Sequence, residues 1–172
     1  EPDVIRGASH VVLPGVGAFA DAMDNLQQYG LIEVVREAAF SGKPFLGICL
    51  GMQLLFEKSY EYGEYSGLGV IKGSVCPIAE DIPKTYKIPH MGWNSLQFRK
   101  ESRLFKYVEE GSYVYYVHSY YAKDCSESIT AVSDYGVEIT GAVENKNYYG
   151  TQFHPEKSGN TGLNILKAFS EI

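Results

Sequence analysis

Cysteine is scarce in this sequence. The three present, Cys49, Cys76 and Cys125, lie far apart and never as C-x-x-C. Neither a disulfide framework nor a zinc site is indicated, and a reducing, cytoplasmic setting is the expectation. Basic residues are in the minority: 15 Lys and Arg against 21 Asp and Glu give a formal charge of −6. Proteins that bind nucleic acid usually carry the opposite imbalance. No apolar run approaches the roughly 18 residues of a membrane span. Two glycines, Gly15 and Gly17, follow a strand-like run, but the third glycine of G-x-G-x-x-G is missing, so a dinucleotide site has little support. Internal repeats, linkers and low-complexity tracts are absent too. No metal, cofactor, nucleic-acid or membrane partner is expected.

What is present is a core. Hydrophobic residues make up 45% of the 172 positions, enough for an ordinary globular domain. Residues 9–13 (SHVVL) read as a buried strand closed by Pro14-Gly15. A helical stretch over 19–40 follows, broken near Gly30, with Ile32, Val35 and Ala39 at helical spacing. Residues 44–48 form a second buried strand, and 50–58 a helix with Leu54 and Leu55 facing inward. Strand, helix, strand, helix implies a parallel sheet covered on both faces. After Gly63 the texture changes to β-branched and aromatic runs between turn residues: GLGVIKG, WNSLQF, SYVYYVHSYY, SITAVSDYG, VEITGAVEN and NYYGTQFH. These read as strands, many antiparallel. Residues 161–172 close the chain as a helix with Leu163, Leu166, Phe169 and Ile172 spaced by three. One α/β domain with a largely antiparallel second half is expected.

The stretch PFLGICLGMQLL sets Cys49 between Gly47 and Gly51, where a strand hands over to a helix. A sharp turn of that kind exposes its apex residue. Glycine is favoured beside it, because a Cβ would clash or φ is positive. The helix that starts at Leu50 would aim its first amides at the sulfur, lowering the thiol pKa, and the Leu50 N–H would serve an oxyanion. The bland alternative is a buried, inert cysteine.

A thiolate doing acyl transfer needs a base that later acts as an acid. Four histidines are available: His10, His90, His118 and His154. His154 and Glu156 are two apart, so extended backbone puts both side chains on one face, and Pro155 disfavours the helical region for His154. Glu156 would then orient the imidazole as the acid of a triad does. Taken alone, H-P-E is a turn with a surface carboxylate; with Cys49 present the catalytic reading overtakes it. His118, inside an aromatic strand, reads as structural, and neither it nor His10 or His90 has a carboxylate two residues on. In PGVGAF, Gly15, Val16 and Gly17 offer backbone N–H groups to an anion; the plain alternative is an ordinary strand-to-helix turn.

Together PGVGAF, GICLGMQLLFE, PHMGWN, YYVHSYY and FHPEKSG resemble, in order and across nearly the whole chain, the class I, triad-type glutamine amidotransferases. HMGWN, VHSYY and the Lys-Ser-Gly after the triad glutamate are similar to the glutaminase subunits of imidazole glycerol phosphate synthase, in histidine biosynthesis. The resemblance implies a flavodoxin-like fold: a mixed central sheet, helices on both faces, an antiparallel second half. It implies glutamine hydrolysis, with Cys49 as nucleophile, His154 as base and acid, and Glu156 holding His154. Oxyanion donors would be the Leu50 amide and one from Gly15, Val16 or Gly17. Gln53, Ser119 and Tyr120 would bind substrate. Glu61 would take the α-amino group, although its loop, KSYEYGEYSG, departs from the family pattern. The implied partner is a β/α-barrel cyclase, forming a heterodimer that channels ammonia, with Trp93, Tyr115 and Lys157 at the interface. No cofactor is implied.

The family also has a first strand and helix with a D-Y-G-x-G-N type segment that nothing here matches. An N-terminally incomplete glutaminase domain over residues 1–172 is therefore expected. Competing readings are the glutaminase of pyridoxal phosphate or anthranilate synthase, a cysteine hydrolase of the same fold such as a peptidase, and a non-catalytic interaction domain. HMGWN and VHSYY count against the first, and CLGMQ followed by VHSYY against the second. The joint presence of Cys49, His154 and Glu156 counts against the third.

Overall fold

The computed structural model describes residues 1–172. Its helices are α1 (Pro2–Gly7), α2 (Phe19–Gln28), α3 (Leu31–Ser41), α4 (Leu50–Gln53) and α5 (Gly159–Ser170). Its strands are β1 (Val11–Gly15), β2 (Phe45–Cys49), β3 (Phe56–Ser59), β4 (Tyr65–Ser66), β5 (Ile71–Pro77), β6 (His90–Ser95), β7 (Gln97–Phe98), β8 (Tyr113–His118), β9 (Tyr120–Lys123), β10 (Ile129–Asp134), β11 (Glu138–Asn145) and β12 (Tyr148–Thr151).

β2 is the centre of the sheet. It pairs in parallel with β1, Gly15 lying opposite Cys49, and in parallel with β12, Ile48 opposite Thr151. β11, β10 and β7 follow antiparallel, so six strands run β1-β2-β12-β11-β10-β7. All five residues of β2 are buried, as a strand covered on both faces requires. Leu46 and Ile48 join a core with Tyr116, Tyr149, Phe153 and Phe169. Phe45 joins a second core with Phe19, Met52, Leu55 and Phe56. A four-stranded sheet, β4-β3-β5-β9, and a two-stranded ribbon, β6-β8, complete the structure. The parallel first half and antiparallel second half are as expected, and α2 and α3 separate at Gly30, which is left-handed (φ 65°).

Three expectations are corrected. The helix over 50–58 stops at Gln53, and Phe56–Ser59 is instead a strand paired with β5 and β4. Leu54, Leu55 and Phe56 are consecutive and all buried; one face of a helix cannot hold three successive residues, and strand pairing wins. β1 runs through Pro14-Gly15 rather than ending before them. Proline is tolerated because β1 is an edge strand whose outer side has no strand partner. In α5 the buried face is Gly162, Ile165, Ala168 and Phe169, while Leu163 is exposed: a three-residue spacing drifts off a 3.6-residue turn. α1, which the sequence pattern does not mark, is tied down by an Arg6–Glu37 ion pair of 2.9 Å and by Lys43 Nζ, which donates to the carbonyls of Ile5 and Arg6.

The glycines beside Cys49 are there for space. A Cβ on Gly51 would lie 1.8 Å from the Leu13 carbonyl oxygen, and one on Gly47 2.6 Å from the Gly51 oxygen. The positive φ belongs to Cys49 itself (φ 55°, ψ −112°). Gly51→Ala and Gly47→Ala are each expected to destabilise by about 3 kcal/mol or more, the upper end for overpacking, because backbone rather than a side chain must move. Gly7→Ala, where a Cβ meets nothing within 4 Å, should be near neutral. Urea unfolding of the three variants checks this ordering.

Candidate active site

β2 delivers Cys49 to a cavity of about 530 Å³. β1 contributes to its rim through the following residues Val16 and Gly17; α4 brings Leu50 and Gln53; the loop after β3 brings Glu61 and Tyr62; the β8–β9 junction brings Val117, His118, Ser119 and Tyr120. His154 and Lys157 come from the short 3₁₀ turn Pro155–Lys157 and the residue before it. That turn is pinned from both sides. The His154 N–H donates to the Tyr115 carbonyl (3.0 Å), the Tyr115 N–H donates to Ser158 Oγ (2.9 Å), and Ser158 Oγ donates to the His154 carbonyl (2.6 Å).

His154 is buried, with Nδ1 2.7 Å from Glu156 Oε1, and its Nε2 has no hydrogen-bond partner. The carboxylate only accepts, so Nδ1 carries the hydrogen and the unpartnered Nε2 is left as the basic nitrogen. The Cys49 S–H faces the Val117 carbonyl at 3.9 Å, and Gln152 Nε2 approaches the sulfur at 3.7 Å. Proton transfer to His154 therefore requires the thiol to leave the Val117 carbonyl.

The expected low thiol pKa is not what the site holds. Burial pushes the Cys49 thiol up to about 11; the Leu50 N–H and the Gln152 amide pull the other way, and Glu156 adds to the rise. α4 has only four residues, too few to build a macrodipole that offsets desolvation. Burial likewise raises the pKa of the Glu61 carboxyl, against a hydrogen bond from the Phe19 N–H that lowers it.

Of the residues singled out from sequence, Cys49, His154, Val16, Gly17, Leu50, Gln53, Glu61, Ser119, Tyr120 and Lys157 meet around this one cavity. Glu156 stands behind His154. Gly15 is set back in β1, where a Cβ would press on Leu50 at 3.2 Å. Trp93 and Tyr115 lie outside the lining, paired across the β6–β8 ribbon with rings 6.0 Å apart. Gln152 and Tyr62 were not anticipated. Gln152 was legible by alternation: two residues before His154 at the end of a strand, it shares that face.

Residues 5–171 match the class-I glutamine amidotransferase family. The imidazole glycerol phosphate synthase subunit HisH of Wolinella succinogenes is 52% identical over all of this chain and 85% of its own length. The subunits of the same name from Listeria monocytogenes and Bacillus thuringiensis are 51% and 52% identical, over 98% and 94% of this chain and 79% and 76% of theirs. The chain belongs to the class-I glutamine amidotransferases, in the HisH family. Solved structures agree on the fold. A crystal structure of a glutamine amidotransferase overlays with a TM-score of 0.73 at 17% identity, over 99% of this chain and 84% of that one. The Trypanosoma brucei CTPS glutaminase domain with bound acivicin overlays at 0.68 and 20%, over 99% and 74%. No helix is long and apolar enough to cross a membrane.

At the cavity wall, to which His118 contributes, this HisH family member holds a buried histidine pair. His118 Nδ1 donates to the Tyr120 carbonyl (2.8 Å), and His90 Nδ1 lies 2.8 Å from His118 Nε2. The carbonyl only accepts, so the tautomers are set in series, His90 donating to His118. His90 is stacked between Tyr116 and Tyr135. Burial lowers the His90 pKa from 6.5 to about 4 and that of His118 to about 3. Both are neutral when folded, whereas the unfolded chain takes up their protons below about pH 6.5. Stability from this pair is complete above pH 6.5 and is lost as pH falls toward 4, by about 1.4 kcal/mol per pH unit for each histidine. Urea titrations at pH 7.5, 6 and 5 should show this decline; equal stability at the three values would contradict it.

Proposed function

We propose that glutamine is hydrolysed to glutamate and ammonia in the Cys49 cavity and that the ammonia passes to a cyclase subunit of imidazole glycerol phosphate synthase. The observation that carries the assignment of roles is the unpartnered, buried Nε2 of His154, held by Glu156 in the same cavity as a thiol at a strained strand-to-helix turn. Membership of the HisH family supplies the reaction class.

Glutamine enters with its side-chain amide toward Cys49 and its α-ammonium toward Glu61, whose buried carboxylate has no cation paired with it. Sulfur attacks the amide carbon as its proton moves to His154 Nε2. The tetrahedral oxyanion is met by the Leu50 N–H and by an N–H of the Gly15–Gly17 segment. Collapse breaks the C–N bond, and His154 returns the proton to the departing nitrogen, so neutral ammonia leaves. Water, deprotonated by His154, then cleaves the thioester and glutamate departs. The net change is glutamine plus water to glutamate plus ammonia. Because burial holds the resting sulfur as a thiol, attack and deprotonation belong to one step, and the imidazole rather than a free thiolate sets the rate.

The partner surface proposed is the outward face of the β6–β8 ribbon. Met91, Trp93 and Tyr113 are all more than half exposed there, and Tyr115 stands between them. Such an apolar patch on a strand pair is the signature of a docking face. The next residue on the same face of β8 is Val117, whose carbonyl touches the Cys49 thiol. The patch therefore leads directly from solvent to the site where ammonia forms. A barrel seated on it would keep the product from water, where protonation removes the lone pair needed for attack. Lys157, exposed at the cavity rim, stands at this same exit.

If the three residues act as one unit, Cys49→Ala and His154→Ala should each lower glutamine turnover by about 10⁴-fold or more, and the double variant should lose little further. Glu156→Gln preserves shape and removes charge, and its loss should be about 10²-fold smaller. Ammonia release assayed with the cyclase subunit and its ribonucleotide ligand present decides. Independent, multiplicative losses would contradict a shared step.

A further inference from the structure

The geometry points to Gln152 as a positioning residue for the nucleophile: its side-chain amide holds the Cys49 sulfur and favours the thiolate over the thiol. This rests on Cys49 being the nucleophile proposed above.

The orientation of the amide is settled by its neighbours. The Tyr120 carbonyl can only accept, and Gln53 Nε2 lies 3.1 Å from it. Gln53 therefore turns its NH₂ inward, and the same nitrogen reaches Gln152 Oε1 at 3.0 Å. With its oxygen occupied as an acceptor, Gln152 presents its NH₂ to Cys49 Sγ at 3.7 Å. A flipped Gln152 would set oxygen against sulfur and nitrogen against nitrogen, losing both contacts. The second lone pair of the Tyr120 carbonyl takes the hydrogen of His118 Nδ1, so a buried, neutral histidine fixes the acceptor from which the series starts. Gln152 is wholly buried, and its backbone N–H is separately occupied by the Gly141 carbonyl at 2.8 Å. The strand alone would hold the residue in place; the side chain serves another purpose.

That purpose follows from what else faces the sulfur. The Val117 carbonyl accepts from the thiol and opposes a thiolate. Glu156, from the 3₁₀ turn, also opposes it. Lys157 on the same turn favours it, as does the backbone N–H of Leu50 from α4. His154 is the remaining titratable group of that turn at the cavity. Among side chains, Gln152 is the one that donates a hydrogen bond to the sulfur. A donor to a developing anion in a water-poor site is worth more than the same bond in water. Its loss also leaves the Val117 carbonyl opposed only by the Leu50 N–H and Lys157.

The experiment is alkylation of the three cysteines by iodoacetamide at pH 8, without glutamine, followed by peptide mass spectrometry. It reads the thiol itself, so it succeeds or fails independently of glutamine turnover. Gln152→Met keeps the volume and removes the donor. Alkylation of Cys49 should slow by about tenfold, the size of one lost hydrogen bond to a charged group, with Cys76 unchanged. Gln152→Glu keeps an acceptor for Gln53 and replaces the donor by a negative charge, and it should slow Cys49 further. A merely structural role predicts the opposite sign, since a loosened core exposes Cys49 and speeds its alkylation. Faster or unchanged alkylation of Cys49 in Gln152→Met would overturn the assignment. So would equal slowing of Cys76, and so would a Gln152→Glu rate equal to wild type should the methionine variant fail to fold.

Discussion

The structure depends on one close backbone crossing. Where β2 ends, α4 turns back so tightly over the sheet that Gly51 lies against the Leu13 carbonyl and Gly47 against the Gly51 carbonyl. No side chain fits at either point. The tightness forces the residue between them, Cys49, into a backbone region that L-residues rarely adopt (φ 55°, ψ −112°), and such strain persists only when the surroundings over-determine it. The surroundings do so here: β2 is gripped by parallel partners on both sides and buried on both faces. The crossing also places the Leu50 N–H beside the sulfur and stations Gln53 one turn on, beneath Gln152.

Around that apex stand two sets of polar groups. His154 arrives on a turn locked by Ser158 and the Tyr115 backbone, with one nitrogen committed to Glu156 and the other open. The amides of Gln53 and Gln152 form a second set, oriented in turn by the Tyr120 carbonyl and the neutral His90–His118 pair. On the roles proposed above, the sulfur has a base for its proton in His154 and, in the Gln152 amide, a donor for the charge left behind. Burial keeps it protonated at rest. If Cys49 is the nucleophile proposed above, it is quiet at rest, which suits a reaction whose product is lost when made before an acceptor is present.

Much of this was legible in the sequence. Glycine on either side of Cys49 marked the tight turn. The two-residue spacing of His154 and Glu156, with a proline between, marked the pair that now sits 2.7 Å apart. The motif resemblance led to the reaction class, and it pointed to Glu61, which lines the cavity despite the unusual loop that carries it. What escaped did so for tertiary reasons. LLFEK has helical propensity, yet Phe56 is drawn into a second sheet by β5, a partner that local pattern does not reveal. The thiol pKa was misjudged because a local reading sees the helix amides and not the burial. Gln152 was overlooked because its partners, Cys49 and Gln53, lie about a hundred positions away along the chain.

The most direct test of the central claim is to incubate the protein with a glutamine-derived diazoketone and map the adducts by mass spectrometry. Such a reagent needs both a glutamine site and an attacking sulfur. If the crossing at Gly47 and Gly51 builds a nucleophile into a glutamine pocket, a single adduct forms on Cys49, and excess glutamine suppresses it. Equal labelling of Cys49, Cys76 and Cys125, or labelling that glutamine does not suppress, would contradict the account.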